Sequence, residues 1–276
     1  MLRINGGEFR RTMVARKSYG IPRTIDGPSI KSKTRSNHRV KVAVSAVNAG
    51  RQLNEAILHC NRCPRLLAHC ATVAQEKRRA YQHDHYWARP VPNFGIMPAK
   101  ILIVGLAPGA HGANRTGRMF TGDQSGVWLF RALHRAGLAT KMHSGSRHDD
   151  LRLLHCAITS ACHCAPPKNK PSKEEIANCR PWLSETIVLA RPKVILAMGQ
   201  IGWNAAWCYA RDQEWIGGKR PAFGHGHSCR LTEQTVLLGS FHPSQQNTFT
   251  GRLTEVMLDQ IMDQAKSLAG IGANNA

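Results

Sequence analysis

The sequence has few acidic residues and no apolar stretch long enough to cross a membrane. Its 276 residues include 17 Asp and Glu against 38 Lys and Arg, a formal net charge of +21. This excess favours a polyanionic partner, because neutralised phosphates release counterions, although ribosome-associated and membrane-surface proteins share the composition. No apolar run approaches the roughly 18–20 residues that span a bilayer, and the N-terminus lacks the apolar centre of a secretory signal. We therefore expect a cytoplasmic, nucleoid-associated protein with no membrane partner.

Residues 1–50 differ from the rest of the chain. Twelve Lys and Arg lie between Arg3 and Arg51, and only Glu8 and Asp26 oppose them. No apolar period is sustained there, which predicts a disordered basic extension. A DNA-tethering arm, a transit peptide and a start at Met13 remain open interpretations of this segment. The folded domain is expected over residues 51–270.

Four apolar runs in the folded part predict buried parallel strands. They cover residues 101–105, 153–160, 194–199 and 236–240. Helical patterns lie between and after them, at residues 126–136, 174–190, 201–209 and 252–268. Strands that alternate with helices predict an α/β fold, a three-layer α/β/α arrangement around a central, mainly parallel four-stranded sheet. Ligands bind such sheets beyond the carboxyl ends of the strands.

Nine cysteines in a reducing compartment indicate metal or cluster ligation rather than disulfides. Cys60 and Cys63 form a Cys-x2-Cys pair, and Cys164 and Cys179 follow far downstream. Together these four can form a closed site, for which zinc and an iron–sulfur cluster compete. Cys162 lies two residues from Cys164 and is the thiol that can take its place.

A glycine-rich segment follows the first strand. Residues 105–123 contain five glycines, which let the backbone approach a ligand closely. The segment lacks the Gly-Lys-Ser/Thr of a Walker loop and the Gly-x-Gly-x-x-Gly of a dinucleotide-binding fingerprint. Its length and its position between a buried strand and an apolar helix favour a functional loop.

Three segments together resemble the iron–sulfur uracil-DNA glycosylases of family 5, the type B enzymes of the uracil-DNA glycosylase superfamily. They are residues 105–123, residues 164–171 followed by Cys179, and residues 241–254, within a match of residues 58–265. Met119 stands where the family tends to have Pro. The narrower uracil-specific enzymes carry an acid or amide just after the first strand, where this chain has Leu106 and Ala107.

The resemblance implies a monofunctional enzyme that starts base excision repair by removing uracil from DNA. Hypoxanthine, xanthine and etheno-cytosine are further expected substrates. Hydrolysis of the N-glycosidic bond requires an extruded base, a pocket that reads it and a positioned water. The resemblance also implies a structural [4Fe-4S] cluster on Cys60, Cys63, Cys164 and Cys179. We expect a monomer that acts on double-stranded DNA.

Four residues carry the predicted chemistry. Phe120 offers a flat face for a flipped pyrimidine, and Asn169 has an amide suited to the Watson–Crick edge of uracil. His242 is expected to donate a hydrogen bond to O2 of the departing base. Asp123 is expected to hold the attacking water, and it can also cap the helix that follows.

Further residues are assigned to the base pocket and to the DNA backbone. Base contacts are expected from Ala107, Gly109, His111 and Asn114. DNA contacts, including a wedge into the duplex, are expected from Arg118, Lys168, Lys170, Gln245, Gln246, Asn247 and Arg252.

Two other functions compete with the glycosylase. A non-catalytic, metal-stabilised DNA-binding module explains the charge and the cysteines, but it does not explain Asp123, Asn169 and His242 together. A zinc hydrolase is the third interpretation. Base release from a uracil-containing oligonucleotide and elemental analysis distinguish the three.

Overall fold

The computed structural model describes the backbone of residues 31–272 and the side-chain environments of residues 45–272. The helices are α1 (Lys31–Leu58), α2 (Pro64–Glu76), α3 (Ala113–Thr116), α4 (Gln124–Arg135), α5 (Lys173–Ala190), α6 (Gln200–Asp212), α7 (Gln245–Phe249) and α8 (Glu255–Leu268). The strands are β1 (Phe94–Gly95), β2 (Ile101–Gly105), β3 (Cys156–Ser160), β4 (Val194–Met198), β5 (Ser228–Arg230) and β6 (Val236–Ser240). Short 3-10 helices cover Arg79–Tyr81 and Pro167–Asn169.

The strands form one sheet in the order β1-β3-β2-β4-β6-β5. The central four, β3, β2, β4 and β6, are parallel, and every one of their residues is buried. This confirms the predicted parallel four-stranded core. The sheet also has antiparallel edge strands, β1 and β5, which the sequence did not predict. Each is only two or three residues long, too short for an apolar period.

The two faces of the sheet bury alternate residues of each strand, as the pleat requires. Ile101 and Ile103 of β2 belong to a core that also contains the buried residues of α4 and α8. Leu102 and Val104 belong to a second core with the apolar residues of α5 and α6. These two cores on opposite sides of the sheet confirm the three-layer α/β/α arrangement.

Helix α1 begins inside the segment that was predicted to be disordered. It starts at Lys31, so the predicted extension is helical after residue 30. Residues 31–49 contain neither Pro nor Gly, so nothing in the backbone opposes a helix there. Leu53 and Ile57 are buried near the end of α1. Residues 1–30 lie outside the described residues.

The carboxyl ends of β2, β3, β4 and β6 lie along one rim of the sheet, because the four strands are parallel and in register. The loop after β2 leads into α3 and α4, and the loop after β6 leads into α7. Across the described residues, no helix is both long and apolar enough to traverse a bilayer.

Candidate active site

A cavity of about 450 Å³ opens at the carboxyl ends of the central strands. Phe120, Asp123, Asn169 and His242 all line it. Phe120 and Asp123 come from the loop after β2, Asn169 from the loop after β3, and His242 from the loop after β6. The parallel topology therefore brings the four predicted residues into one space.

Asp123 caps helix α4 and also faces the cavity. Its Oδ1 accepts a hydrogen bond from the backbone N of Gly126 at 3.0 Å, as an N-cap residue does. Burial raises the pKa of the carboxyl, and hydrogen bonds from Gly126 and Ser125 and the charge of Arg115 oppose that rise. The carboxyl therefore ionises at a higher pH than an exposed aspartate.

Gly112 makes room for the Asp123 carboxylate. A Cβ at Gly112 would lie 2.1 Å from Oδ2 of Asp123, a distance at which atoms overlap. The carboxylate thus rests directly on the backbone of the loop. Arg115 braces this loop, since its guanidinium donates to the carbonyl oxygens of His111 and Gly122.

Phe120 and His242 stack on each other at the wall of the cavity. Their ring centroids are 5.7 Å apart and their planes differ by 28°. Burial lowers the pKa of His242 to about 4. The imidazole is therefore neutral at neutral pH, and it keeps one N–H for donation and one nitrogen lone pair.

Asn169 sits in a sharp turn at the cavity mouth. Lys168 and Asn169 have φ values of 54° and 55°, in the left-handed region. Asn tolerates this conformation better than most residues, since its amide can bond locally. Both side chains are exposed and line the cavity, so the turn presents the amide outward instead of burying it.

The other predicted base contacts divide into two groups. Ala107 and Gly109 line the cavity. His111 instead lines an adjoining groove, together with Gln245 and Ser125. Asn114 is fully buried and lines neither space, and its Nδ2 donates to the carbonyl of Ala110 at 3.4 Å. The predicted contact between Asn114 and the base is therefore wrong for this conformation, because the side chain points into the protein.

The predicted DNA contacts also lie in different settings. Lys168 and Gln246 line the cavity, and Gln245 lines the adjoining groove. Lys170 is exposed. Arg252 is exposed as well, and its guanidinium carbon lies 4.7 Å from the centroid of the Phe241 ring.

Arg118 and Asn247 both make contacts inside the protein. The Arg118 side chain is 7% exposed and pairs with Asp149 at 2.5 Å. A buried charge needs a partner, so Arg118 supports the loops of the site instead of facing DNA. Asn247 donates from Nδ2 to the carbonyl oxygen of His242 at 2.8 Å. This bond uses one N–H of the amide, so the DNA contact of Asn247 stays a prediction.

Tyr86 and Phe249 lie close to residues of the site, and the sequence reasoning assigned neither of them. Tyr86 is buried, and its hydroxyl lies 2.9 Å from Nδ1 of His111, where it orients the imidazole. Phe249, the last residue of α7, is 78% exposed. Tyr86 has no recognisable motif around it. Phe249 lies within the 241–254 segment, but sequence alone does not tell a core Phe from an exposed one.

The predicted ligand cysteines lie around one buried patch between α2 and α5. Cys63, Cys164 and Cys179 are buried, whereas Cys60 is partly exposed. The indole Nε1 of Trp182 donates to Sγ of Cys60 at 3.3 Å, and Nδ2 of Asn178 approaches Sγ of Cys63 at 3.8 Å. Such N–H donors stabilise sulfur ligands of a metal centre.

An ion pair ties α2, which begins directly after Cys63, to α5, which carries Cys179. Arg65 of α2 donates from Nε and Nη2 to the two carboxylate oxygens of Glu175, at 2.8 and 2.7 Å. Glu175 also completes a capping box with Ser172 at the start of α5. The backbone around the thiols is thus fixed by contacts that do not involve sulfur.

Two further thiols, Cys70 and Cys162, share the patch. Cys162 lies beside Cys179, and Cys70 lies beside Cys164. Over residues 45–272, no three His, Cys, Asp or Glu side chains are already arranged as metal ligands.

Comparison with known proteins identifies the family. A model described as the Uracil DNA glycosylase superfamily matches residues 92–266. The chain is 48% identical to the type-5 uracil-DNA glycosylase of Mycobacterium bovis over 222 residues, which cover 80% of this chain and 82% of that protein. It is 46% identical to the type-5 enzyme of Thermus thermophilus, over 79% of this chain and 97% of the relative.

A more distant relative carries a different type name. The type-4 uracil-DNA glycosylase of Pyrobaculum aerophilum is 31% identical over 70% of this chain, whereas the type-5 enzyme of the same organism is 43% identical over 78%. These matches confirm the family-5 resemblance that the motifs indicated. The chain belongs to the uracil DNA glycosylase superfamily.

Proposed function

We propose that this protein is a monofunctional uracil-DNA glycosylase, an N-glycosyl hydrolase that acts on a base flipped out of DNA. The observation that carries the proposal is the shared cavity of Phe120, Asp123, Asn169 and His242. An aromatic face, an amide, a neutral imidazole and a buried carboxylate are the groups that this hydrolysis requires. The similarity to type-5 uracil-DNA glycosylases supports the same activity.

Base recognition rests on Phe120 and Asn169. The extruded uracil stacks on the Phe120 ring, and the Asn169 amide bonds the Watson–Crick edge as donor and acceptor at once. Ala107 and Gly109 line the same cavity and have no polar side chain. Hypoxanthine, xanthine and etheno-cytosine are proposed as further substrates, because this wall imposes no hydrogen-bond pattern of its own.

Bond cleavage rests on Asp123 and His242. Asp123 takes a proton from a water molecule whose oxygen bonds to C1′ of the sugar. The bond between C1′ and the base nitrogen breaks, and its electron pair leaves with the base. His242 donates a hydrogen bond to the base oxygen that gains negative charge. A neutral imidazole suits this task, because its pKa of about 4 keeps it unprotonated at neutral pH.

No covalent enzyme intermediate is needed. Lys168 is the lysine that lines the cavity in the part of the chain described here, and it lies exposed at the mouth. A phosphate contact fits this position better than a Schiff base, which favours a desolvated lysine. The enzyme is therefore proposed to lack lyase activity.

Release assays on a panel of bases test the proposal. Oligonucleotides that contain uracil, hypoxanthine, xanthine or etheno-cytosine are treated with the protein, and abasic sites are counted. Release of uracil is the expected result. Binding without release of any base favours the non-catalytic DNA-binding module instead.

Replacing Asn169 with Ala should reduce the preference of the protein for uracil over other bases. The variant loses the amide that bonds the uracil edge, which costs about 1–3 kcal/mol, or roughly 5- to 150-fold in kcat/KM for uracil. Release of a base that does not use this amide should fall less. Kinetics on the base panel measure both effects, with Lys170→Ala as the control from the same turn. An unchanged spectrum of bases contradicts the role of Asn169.

Phe249 is proposed as the wedge that enters the duplex. It lies three residues after Gln246 on α7, so the two residues share a helix face, and Gln246 lines the cavity. Apolar side chains of this type fill the gap that an extruded base leaves. The sequence had assigned the wedge to Gln245, Gln246, Asn247 and Arg252.

Replacing Phe249 with Ala should slow release from duplex DNA by about tenfold, because unstacking costs a few kcal/mol. Release from single-stranded DNA, which has no stack to hold open, should stay unchanged. Phe249→Leu should restore most of the duplex rate. Val188→Ala, which shortens another side chain that is 58% exposed, serves as the control. Equal losses on both substrates refute the wedge.

The cysteine patch is proposed to hold a structural [4Fe-4S] cluster through Cys60, Cys63, Cys164 and Cys179. Four thiols and two N–H donors fit such a group. The cluster, when bound, supplies four metal–sulfur links that join the α1–α2 loop to α5 and to the loop carrying Asn169. Hydrolysis uses no electron transfer, so the proposed role is structural.

The remaining expectations about partners stay predictions. Double-stranded DNA as substrate, a monomeric state and a cytoplasmic, nucleoid-associated location are proposed, with the net charge of +21 as support for the DNA partner.

A further inference from the structure

A second cavity, of about 620 Å³, lies on the other side of α3 from the active site. Its lining is rich in basic groups, among them Arg89, Arg115 and Arg147, and has one carboxylate, that of Asp84. Three segments of the chain that are distant in sequence form it. None of these basic residues belongs to the site described above, apart from Arg115, which braces its loop.

Trp87 is the platform of this second cavity. The guanidinium carbons of Arg89 and Arg147 lie 4.0 and 4.1 Å from the centroid of its ring. Nε1 of Trp87 donates to the carbonyl of Pro90 at 3.0 Å. A Cβ at Gly117 would come within 2.7 Å of the indole, so the ring packs directly on the backbone at the end of α3. The platform is therefore fixed in place.

The charges in the second cavity are unbalanced. The guanidinium of Arg115 already has partners within the protein, because it pairs with Asp84 at 2.5 Å and stacks on Tyr81. Arg89 and Arg147 have no hydrogen bond or ion pair with any residue from 45 to 272. Burial and the neighbouring charges of Arg89 and Arg118 lower the pKa of Arg147. Two like charges held on one ring repel each other, and a bound anion would offset that repulsion.

Helix α3 contributes to both cavities. Ala113 lines the active-site cavity, whereas Arg115 and Thr116 line the second one. The two spaces are therefore neighbours, and a DNA strand whose flipped nucleotide enters the first can place a nearby phosphate at the second.

We propose that Arg89 and Arg147, stacked on Trp87, bind a phosphodiester of the DNA strand that carries the flipped nucleotide. The guanidiniums are preoriented by the ring, and their N–H groups match phosphate oxygens in pairs. This contact positions the strand and does not read its sequence. The proposal rests on the proposed glycosylase function for the identity of the strand, but not for the presence of the anion site.

Salt-dependent binding tests the anion site without relying on base release. The full-length protein and the Arg89→Gln and Arg147→Gln variants are titrated with an undamaged duplex at several salt concentrations. Each substitution should reduce the slope of log affinity against log salt by about one. The affinity lost between about 50 and 200 mM salt should become roughly threefold smaller for each arginine removed.

Arg230→Gln is the matched control, since it removes the same charge near the start of β6, at the opposite end of the sheet from the active site. The proposal is overturned if the slopes of Arg89→Gln and Arg147→Gln change by no more than the slope of Arg230→Gln. Single-turnover uracil release at saturating enzyme should fall less than the affinity for duplex does. Slower release with an unchanged slope means that Arg147 only supports α3, which also overturns it.

Inorganic phosphate provides a separate arm. One contrary outcome is that phosphate raises the melting temperature of the parent but not of Arg147→Gln, while the two proteins have the same slope of log DNA affinity against log salt. In that case the site takes a free anion and the DNA contact is wrong. A parent protein that binds duplex with the expected slopes but releases no uracil contradicts the glycosylase function alone.

Discussion

Replacing Asp123 with Asn is expected to slow base release by roughly 10²–10⁴-fold, the range of general acid–base catalysis, while DNA binding persists. The substitution removes the carboxylate that takes the proton from water and stabilises the cationic sugar. Asn is as good an N-cap as Asp, so helix α4 should stay intact. The loss therefore reports on chemistry and not on folding.

The pH profile gives this prediction a second readout. Release needs the Asp123 carboxylate, and burial raises its pKa. As pH falls through that raised pKa, the ionised fraction falls and release slows. The acid limb should therefore lie above the ordinary aspartate value of 3.8. The residual activity of Asp123→Asn should lack this limb.

Single-turnover kinetics and duplex binding are measured on the same samples, with Asp150→Asn as control. Asp150 is 94% exposed and 27 residues further along the chain, so its loss removes a carboxylate without touching the cavity. Full activity in Asp123→Asn contradicts the assigned role. Loss of duplex binding together with a lower melting temperature contradicts the claim that the cap survives.

Replacing Cys179 with Ser is expected to remove most of the bound iron and to lower the melting temperature. A missing thiolate leaves a closed four-ligand site incomplete, and the links between α5 and the loops around it are lost. Elemental analysis and visible absorption measure the metal in the purified full-length chain. Cys208→Ser, which changes a half-exposed thiol on α6, should keep the iron.

A pair of variants separates Cys164 from Cys162. Both thiols are buried in the patch, and each lies beside another cysteine. Cys164→Ser should lose iron, whereas Cys162→Ser should retain it. The reverse pattern gives the ligand role to Cys162. Zinc without iron in the parent protein refutes the cluster and revives the zinc site.

The architecture could be predicted from the sequence because the burial of a strand shows in its own run of residues. A strand covered on both faces must be apolar at every position, so β2, β3, β4 and β6 stand out as continuous runs. Parallel strands must all end at the same rim. That single rule brought Phe120, Asp123, Asn169 and His242 into one cavity.

Residues whose surroundings come from distant segments were not predictable in the same way. Arg118 looked like a DNA contact because it lies in a polar loop, but Asp149, 31 residues away, pairs with it. Asn247 donates to the carbonyl of His242, only five residues away, so there the partner is local and only the direction of the side chain was missed. For Arg118 the partner is supplied by the fold, and local spacing carries no trace of it.

By itself, the sequence determined the four central strands with the helices between and after them, the motifs at the sheet rim and the family, since all of these depend on patterns along the chain. Only the tertiary structure decided which polar side chains face solvent and which face a partner. It exposed Phe249, buried Asn114 and brought Arg147 to Trp87. The physical reason is that pairing and burial are set by side chains that meet in space, at sequence separations no local pattern encodes.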